Sequence, residues 1–227
     1  MDGLSAWLAL LVMGAYHGLN PGMGWLFAVA LGLQQQDGRA IGRALIPISL
    51  GHMAALTVIA ALLGVGQALW HLGSLRSLTA LALVAVGSYK LFRYSRHPRW
   101  FGMRVNAGQL FAWSFLMAGA HGAGLMAAPF LLGLGGVTAF AIACAAQLGL
   151  DHSLPAALRP EAVAPLAVWA AAIGLHTLAM LGVMALVAHL VYRKFGLMVL
   201  RWGWINFDLI WAAALLVVGG IAFVHAV

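Results

Sequence analysis

Acidic side chains are nearly absent from this chain, with five Asp and Glu in 227 residues. Charge of either sign amounts to 7%, against roughly 25% in a soluble domain. Cysteine is scarcer still. Cys144 stands alone, which excludes an internal disulfide, and without a Cys-x-x-Cys pair thiol redox chemistry has no basis. No Gly-x-x-x-x-Gly-Lys-Ser/Thr loop occurs, so ATP would have to come from a separate subunit. There is no His-Glu-x-x-His or Ser/His arrangement and no carboxylate base in mid-run, which argues against an enzyme. The opening Met1-Asp2-Gly3 lacks the positive region of a secretory signal, so the first apolar run is expected to be retained.

What the chain has in quantity is apolar sequence, 64% of its residues. Runs at 4–33, 45–66, 75–92, 109–133, 163–191 and 205–226 reach membrane-spanning length. They predict an all-α polytopic membrane protein with six transmembrane helices in a single domain, 1–227, whose first partner is the lipid bilayer. Residues 136–150 are apolar but short for a span, and suit a re-entrant or interfacial segment. The net charge of +7 could suggest nucleic acid, but the basic residues sit in short connections where they set topology. Arg39, Arg43, Lys90, Arg93, Arg96, Arg99, Arg104, Arg193, Lys194 and Arg201 fall in the first, third and fifth connections, and only Arg76 and Arg159 in the second and fourth. The richer side is cytoplasmic by the positive-inside rule. Both termini are then extracytoplasmic, in a bacterial cytoplasmic membrane. Trp70, Trp169, Trp100, Trp202 and Trp204 fit aromatic belts at the two interfaces.

The chain also repeats itself. Gly14-Ala15-Tyr16-His17-Gly18, followed one run later by Gly51-His52-Met53-Ala54, is echoed by Gly119-Ala120-His121-Gly122, followed one run later by Leu175-His176-Thr177-Leu178. Leu83-Val84-Ala85-Val86-Gly87 matches Leu216-Val217-Val218-Gly219-Gly220. Three spans per half, 1–96 and 108–227, make a 3+3 inverted repeat, a plan common in secondary transporters with the site at the midplane. An ionisable residue within a span is a functional-site candidate by default. His17, His52, His121 and His176 are therefore the candidate metal or substrate ligands, with His52 nearer the cytoplasmic third of its span. Imidazole suits transition metals, and its ordinary pKa near 6.5 suits coupling to protons.

The segment His17-Gly18-Leu19-Asn20-Pro21-Gly22-Met23-Gly24 carries the most chemistry. On a helix, His17, Asn20 and Gly24 would share a face. Pro21 lacks an amide hydrogen and would free the carbonyl of His17, while Gly22 and Gly24 loosen the backbone. Pro21, Gly22 and Gly24 thus predict a helix break lining a polar cavity, with Asn20 beside His17 in the site. Pro129 would free the carbonyl of Leu125 in the same way. Asp208, near the cytoplasmic start of the sixth span, is a candidate gate, proton site or interfacial ion-pair residue. The remaining acids and His71, His97, His152, His189 and His225 lie in loops or near helix ends.

At these residues the chain resembles the lysine-exporter superfamily, and within it the nickel and cobalt efflux permeases, whose first span carries a His-Gly-x-Asp-Pro-Asp-His-type motif. Asn20 stands where that branch has its first aspartate, and Gly22 and Met23 replace the following Asp-His. The resemblance implies a six-span exporter with His17 and Asn20 at its site. The combined expectation is a secondary transporter, with no required cofactor, whose substrate is a divalent transition-metal cation (Ni, Co, Zn, Fe, Mn or Cu), exchanged against protons. Export of an amino acid or other small organic solute is one alternative. A haem-binding membrane protein with paired axial histidines is another. A homo-oligomer is compatible with each.

Overall fold

The computed structural model describes residues 3–92, 105–134, a few positions between 142 and 149, 160–195 and 207–224. Among the described residues all regular structure is helical. Eight long helices follow in order: α1 (Gly3–Leu19), α2 (Trp25–Gln35), α3 (Arg39–Leu69), α4 (Leu72–Phe92), α5 (Ala107–His121), α6 (Ala123–Gly133), α7 (Pro160–Leu190) and α8 (Phe207–Val224). A 3-10 turn, Pro21–Met23, separates α1 from α2, and a π turn, Val191–Phe195, closes α7.

Polar residues sit where helices begin. The Asp37 side chain accepts the Arg39 amide at 2.9 Å as α3 opens, and it also pairs with Arg43. Asn106 and Gln109 form a reciprocal capping box at the start of α5. Between such ends the helices are apolar, and many of their large side chains face outward. Leu8, Val12, Leu62, Leu81, Leu116, Leu186 and Val217 are all exposed, an apolar surface of the kind that marks contact with lipid or protein. Three helical segments, Arg39–Gln67, Leu72–Phe92 and Ala164–Lys194, are long and apolar enough to cross a membrane; α5 with α6, bent by 68°, makes a fourth if the pair is one span.

The helices pack in three principal pairs: α1 with α7, α3 with α5, and α4 with α8, with α3 also lying against α7. Small residues set the close approaches. A Cβ on Gly14 would lie 2.3 Å from the carbonyl oxygen of His176, and one on Gly18 2.5 Å from that of Met180. A Cβ on Gly51 would lie 2.2 Å from the carbonyl oxygen of Phe111. Contacts climb together along α1 and α7, and along α3 and α5–α6, where Gly124 meets Ile59, so these pairs run parallel. In the third pair Gly87 meets Leu215 and Leu216, whereas Gly219 meets Leu83 and Val84, so α4 and α8 run antiparallel.

Several expectations need adjustment. α3 begins at Arg39 rather than at 45, so His52 falls near the middle of its helix. The fourth apolar run is broken at Gly122, which has φ 72°. Trp70 is exposed at the end of α3, but Trp169 donates its indole N–H to the Leu131 carbonyl and packs on the core. Trp100, Trp202 and Trp204 lie outside the described residues, as does most of 136–150.

Candidate metal centre

Three of the four candidate histidines meet. His17 comes from the last turn of α1, His52 from the middle of α3 and His176 from the middle of α7, and all three have 0% solvent exposure. Each offers one ligand nitrogen, and these atoms lie within 4.8 Å of one another. The His52 and His176 rings are nearly parallel, at 9°, with their Nε2 atoms 3.3 Å apart. The His17 ring crosses them at 69° and 73°, with centroids 5.4 and 4.9 Å away.

Helix α1 fixes the orientation of two of the rings. His17 Nδ1 lies 2.7 Å from the carbonyl oxygen of Met13, and His176 Nδ1 lies 3.0 Å from that of Leu10. A carbonyl only accepts, so Nδ1 of each ring carries the hydrogen and Nε2 keeps its lone pair. Metal-binding histidines are oriented in this way, with the second nitrogen donating to a backbone carbonyl. Gly14 makes the arrangement feasible, because any side chain there would push α7 away from α1. Neither Nε2 of His17 nor Nδ1 of His52 has a hydrogen-bond partner. Buried polar atoms are seldom left so, and such an atom calls for an explanation.

His121 stands apart from this cluster. It is buried at the end of α5, its Nδ1 donates to the Met117 carbonyl at 2.9 Å, and its ring lies beside Gly22. Trp211 of α8 lies between it and the triad. The indole meets His17 edge-on at 4.5 Å and His121 at 5.6 Å, stacks on Tyr16 at 5.4 Å, and donates its N–H to the His121 carbonyl. Trp211 was absent from the sequence-based candidates. Its signal was position: tryptophans gather at membrane interfaces, whereas this one occupies the inside of an apolar helix and is 1% exposed.

The break after His17 differs in detail from the expectation. α1 stops at Leu19, so Asn20 and Gly24 do not share a helical face with His17. The His17 carbonyl is not left free; it accepts the Asn20 amide at 3.2 Å. Asn20 is buried and extended, and its Oδ1 accepts the Gly22 amide at 2.9 Å, capping the 3-10 turn that begins with Pro21. Gly24, at φ 117°, then turns the chain into α2. Asp208 lies in the first turn of α8, and its side chain is outside the described residues.

Comparison of the chain with protein-family models, with curated proteins and with solved structures found no match. Three imidazoles, two of them with the tautomer set by a backbone carbonyl, converge as a nitrogen donor set of the kind that suits a transition metal. The 3.3 Å between His52 and His176 matches the edge of a metal–nitrogen polyhedron with bonds of about 2.0–2.1 Å.

Proposed function

We propose that this protein is a secondary transporter of the bacterial cytoplasmic membrane that moves a transition-metal cation through a site made by His17, His52 and His176. The observation that carries the reading is the convergence of three fully buried imidazoles from three helices, with Nε2 of His17 left without a partner. A resting packing cluster would satisfy that atom; a site that must accept and release a cation leaves it available.

The architecture we propose has six spans: α1 with α2, α3, α4, α5 with α6, α7, and α8. The helix pairing supports an inverted 3+3 repeat. Exchanging the halves turns the α1–α7 pair into α5–α3 and the α4–α8 pair into itself. Both leading helices end within two residues of a histidine whose Nδ1 bonds the carbonyl four residues earlier, Met13 for His17 and Met117 for His121. The ligands come from both halves, as alternating access requires. The charge asymmetry of the loops supports an arrangement with both termini outside, and the likeness to metal-efflux permeases favours export with proton exchange.

The haem alternative fits less well. A haem with two axial histidines needs a porphyrin-wide slot between its rings, whereas the three imidazoles here pack directly on one another, with centroids 5.4, 4.9 and 5.5 Å apart. An organic solute would need charged or amide partners that the three rings do not supply. The test is metal transport by the purified chain in liposomes. Transport should be abolished in His17→Ala; full transport by the His17, His52, His121 and His176 quadruple alanine variant would overturn the reading.

A further inference from the structure

We infer that the cation held by His17, His52 and His176 is monovalent and soft, copper(I) in chemical class, rather than a divalent ion. This rests on the metal-transport reading above and narrows its substrate.

The three ligands are neutral, and no solvent reaches them. Among the described side chains the acidic one is Asp37, which belongs to the loop before α3 and is already engaged by Arg43. Burying an ion in a medium of low dielectric is costly unless the charge is paired. That cost grows with the square of the charge, so a divalent ion in the same neutral cage pays about four times the Born penalty of a monovalent one.

Zn(II) and Co(II) take at least four donors and Ni(II) usually more, and a site with three donors and 0% exposure would have to complete their shells with water it does not admit. A filled-shell monovalent copper ion is content with three nitrogens. The two Nδ1 hydrogens committed to Leu10 and Met13 carbonyls keep the His17 and His176 lone pairs ready without loss of a proton.

The experiment is anaerobic titration of the full chain in detergent with copper(I) against a chromogenic copper(I) chelator, with silver(I) as a second monovalent probe. Parallel titrations use Zn(II), Ni(II) and Co(II). One copper(I) per chain is expected, bound roughly tenfold or more tighter than any divalent ion after competition is accounted for. X-ray absorption of the wild-type copper complex, which needs no variant to fold, should give a three- or four-coordinate site dominated by imidazole scattering. His176→Gln should lose binding. Tighter, histidine-dependent binding of a divalent ion, or a five- or six-coordinate metal, overturns the copper(I) assignment while leaving the transporter reading standing. Folded protein that binds no metal of either charge overturns both.

Discussion

His17 and His121 both stand in the last turn of a helix, each with Nδ1 on the carbonyl four residues earlier, yet their surroundings differ. His17 joins two other rings, whereas His121 is separated from them by the Trp211 indole. Metal binding by the purified protein should therefore be lost in His17→Ala and largely kept in His121→Ala. Equal loss in the two would place His121 in the binding set. The glycines separate the same way. Gly51→Ala would put a methyl 2.2 Å from the Phe111 carbonyl oxygen, in backbone that cannot yield cheaply. It should cost about 1–3 kcal/mol, the usual range for overpacking. Gly42, also in α3, has nothing within 4 Å of its would-be Cβ. Gly42→Ala should be neutral or stabilising by roughly 0.5–1 kcal/mol, the helix-propensity gain. Thermal unfolding in one detergent, measured side by side, checks the pair; a Gly51→Ala protein as stable as wild type would contradict the close α3–α5 approach.

Among the elements, the broken helix after His17 was legible in the sequence because proline and glycine carry their backbone consequences with them. The break after His121 was not, because Gly122 is one glycine among 28 and its left-handed φ of 72° follows from tertiary packing. The convergence of His17, His52 and His176 was hinted at by their mid-run positions. The exclusion of His121 depended on where α8 lies, which no local pattern encodes. Asn20 was read as a ligand, and the fold gives it a capping task. That task leaves a test. Asn20→Asp retains an oxygen to accept the Gly22 amide, so the turn should persist, yet it adds a negative charge within one turn of His17. Zn(II) or Ni(II) affinity, measured by competition titration, should rise relative to copper(I), on the order of tenfold, since charge pairing lowers the divalent penalty. Unchanged selectivity in a folded Asn20→Asp protein would remove Asn20 from the neighbourhood of the ion.

At the scale of the whole molecule the decisive geometry is the α4–α8 pair, far from any histidine of the triad in sequence. The repeat read from the sequence sets Leu83 against Leu216. The packing moves that register by one, so that Gly87 seats Leu215 and Leu216 while Gly219 seats Leu83 and Val84. Each glycine receives the other helix's leucine, a reciprocity that a two-fold operation demands of the element pair lying on its axis. In the proposed repeat, antiparallel packing of this pair corresponds to halves of opposite sense. Direct repeats would set equivalent residues of these helices side by side in parallel. Cross-linking separates the two. The Cβ of Leu83 would be 3.0 Å from a Cβ at position 219, slightly inside the roughly 3.5–4.5 Å of a disulfide. In a Cys144→Ser background, Leu83→Cys with Gly219→Cys should therefore oxidise to an internal disulfide in native membranes, detectable as a mobility shift reversed by reductant. Leu83→Cys with Leu215→Cys, a full turn away along α8, should not. Preferential linkage of the 83–215 pair would reverse the relative sense of α4 and α8, and with it the proposed inverted repeat.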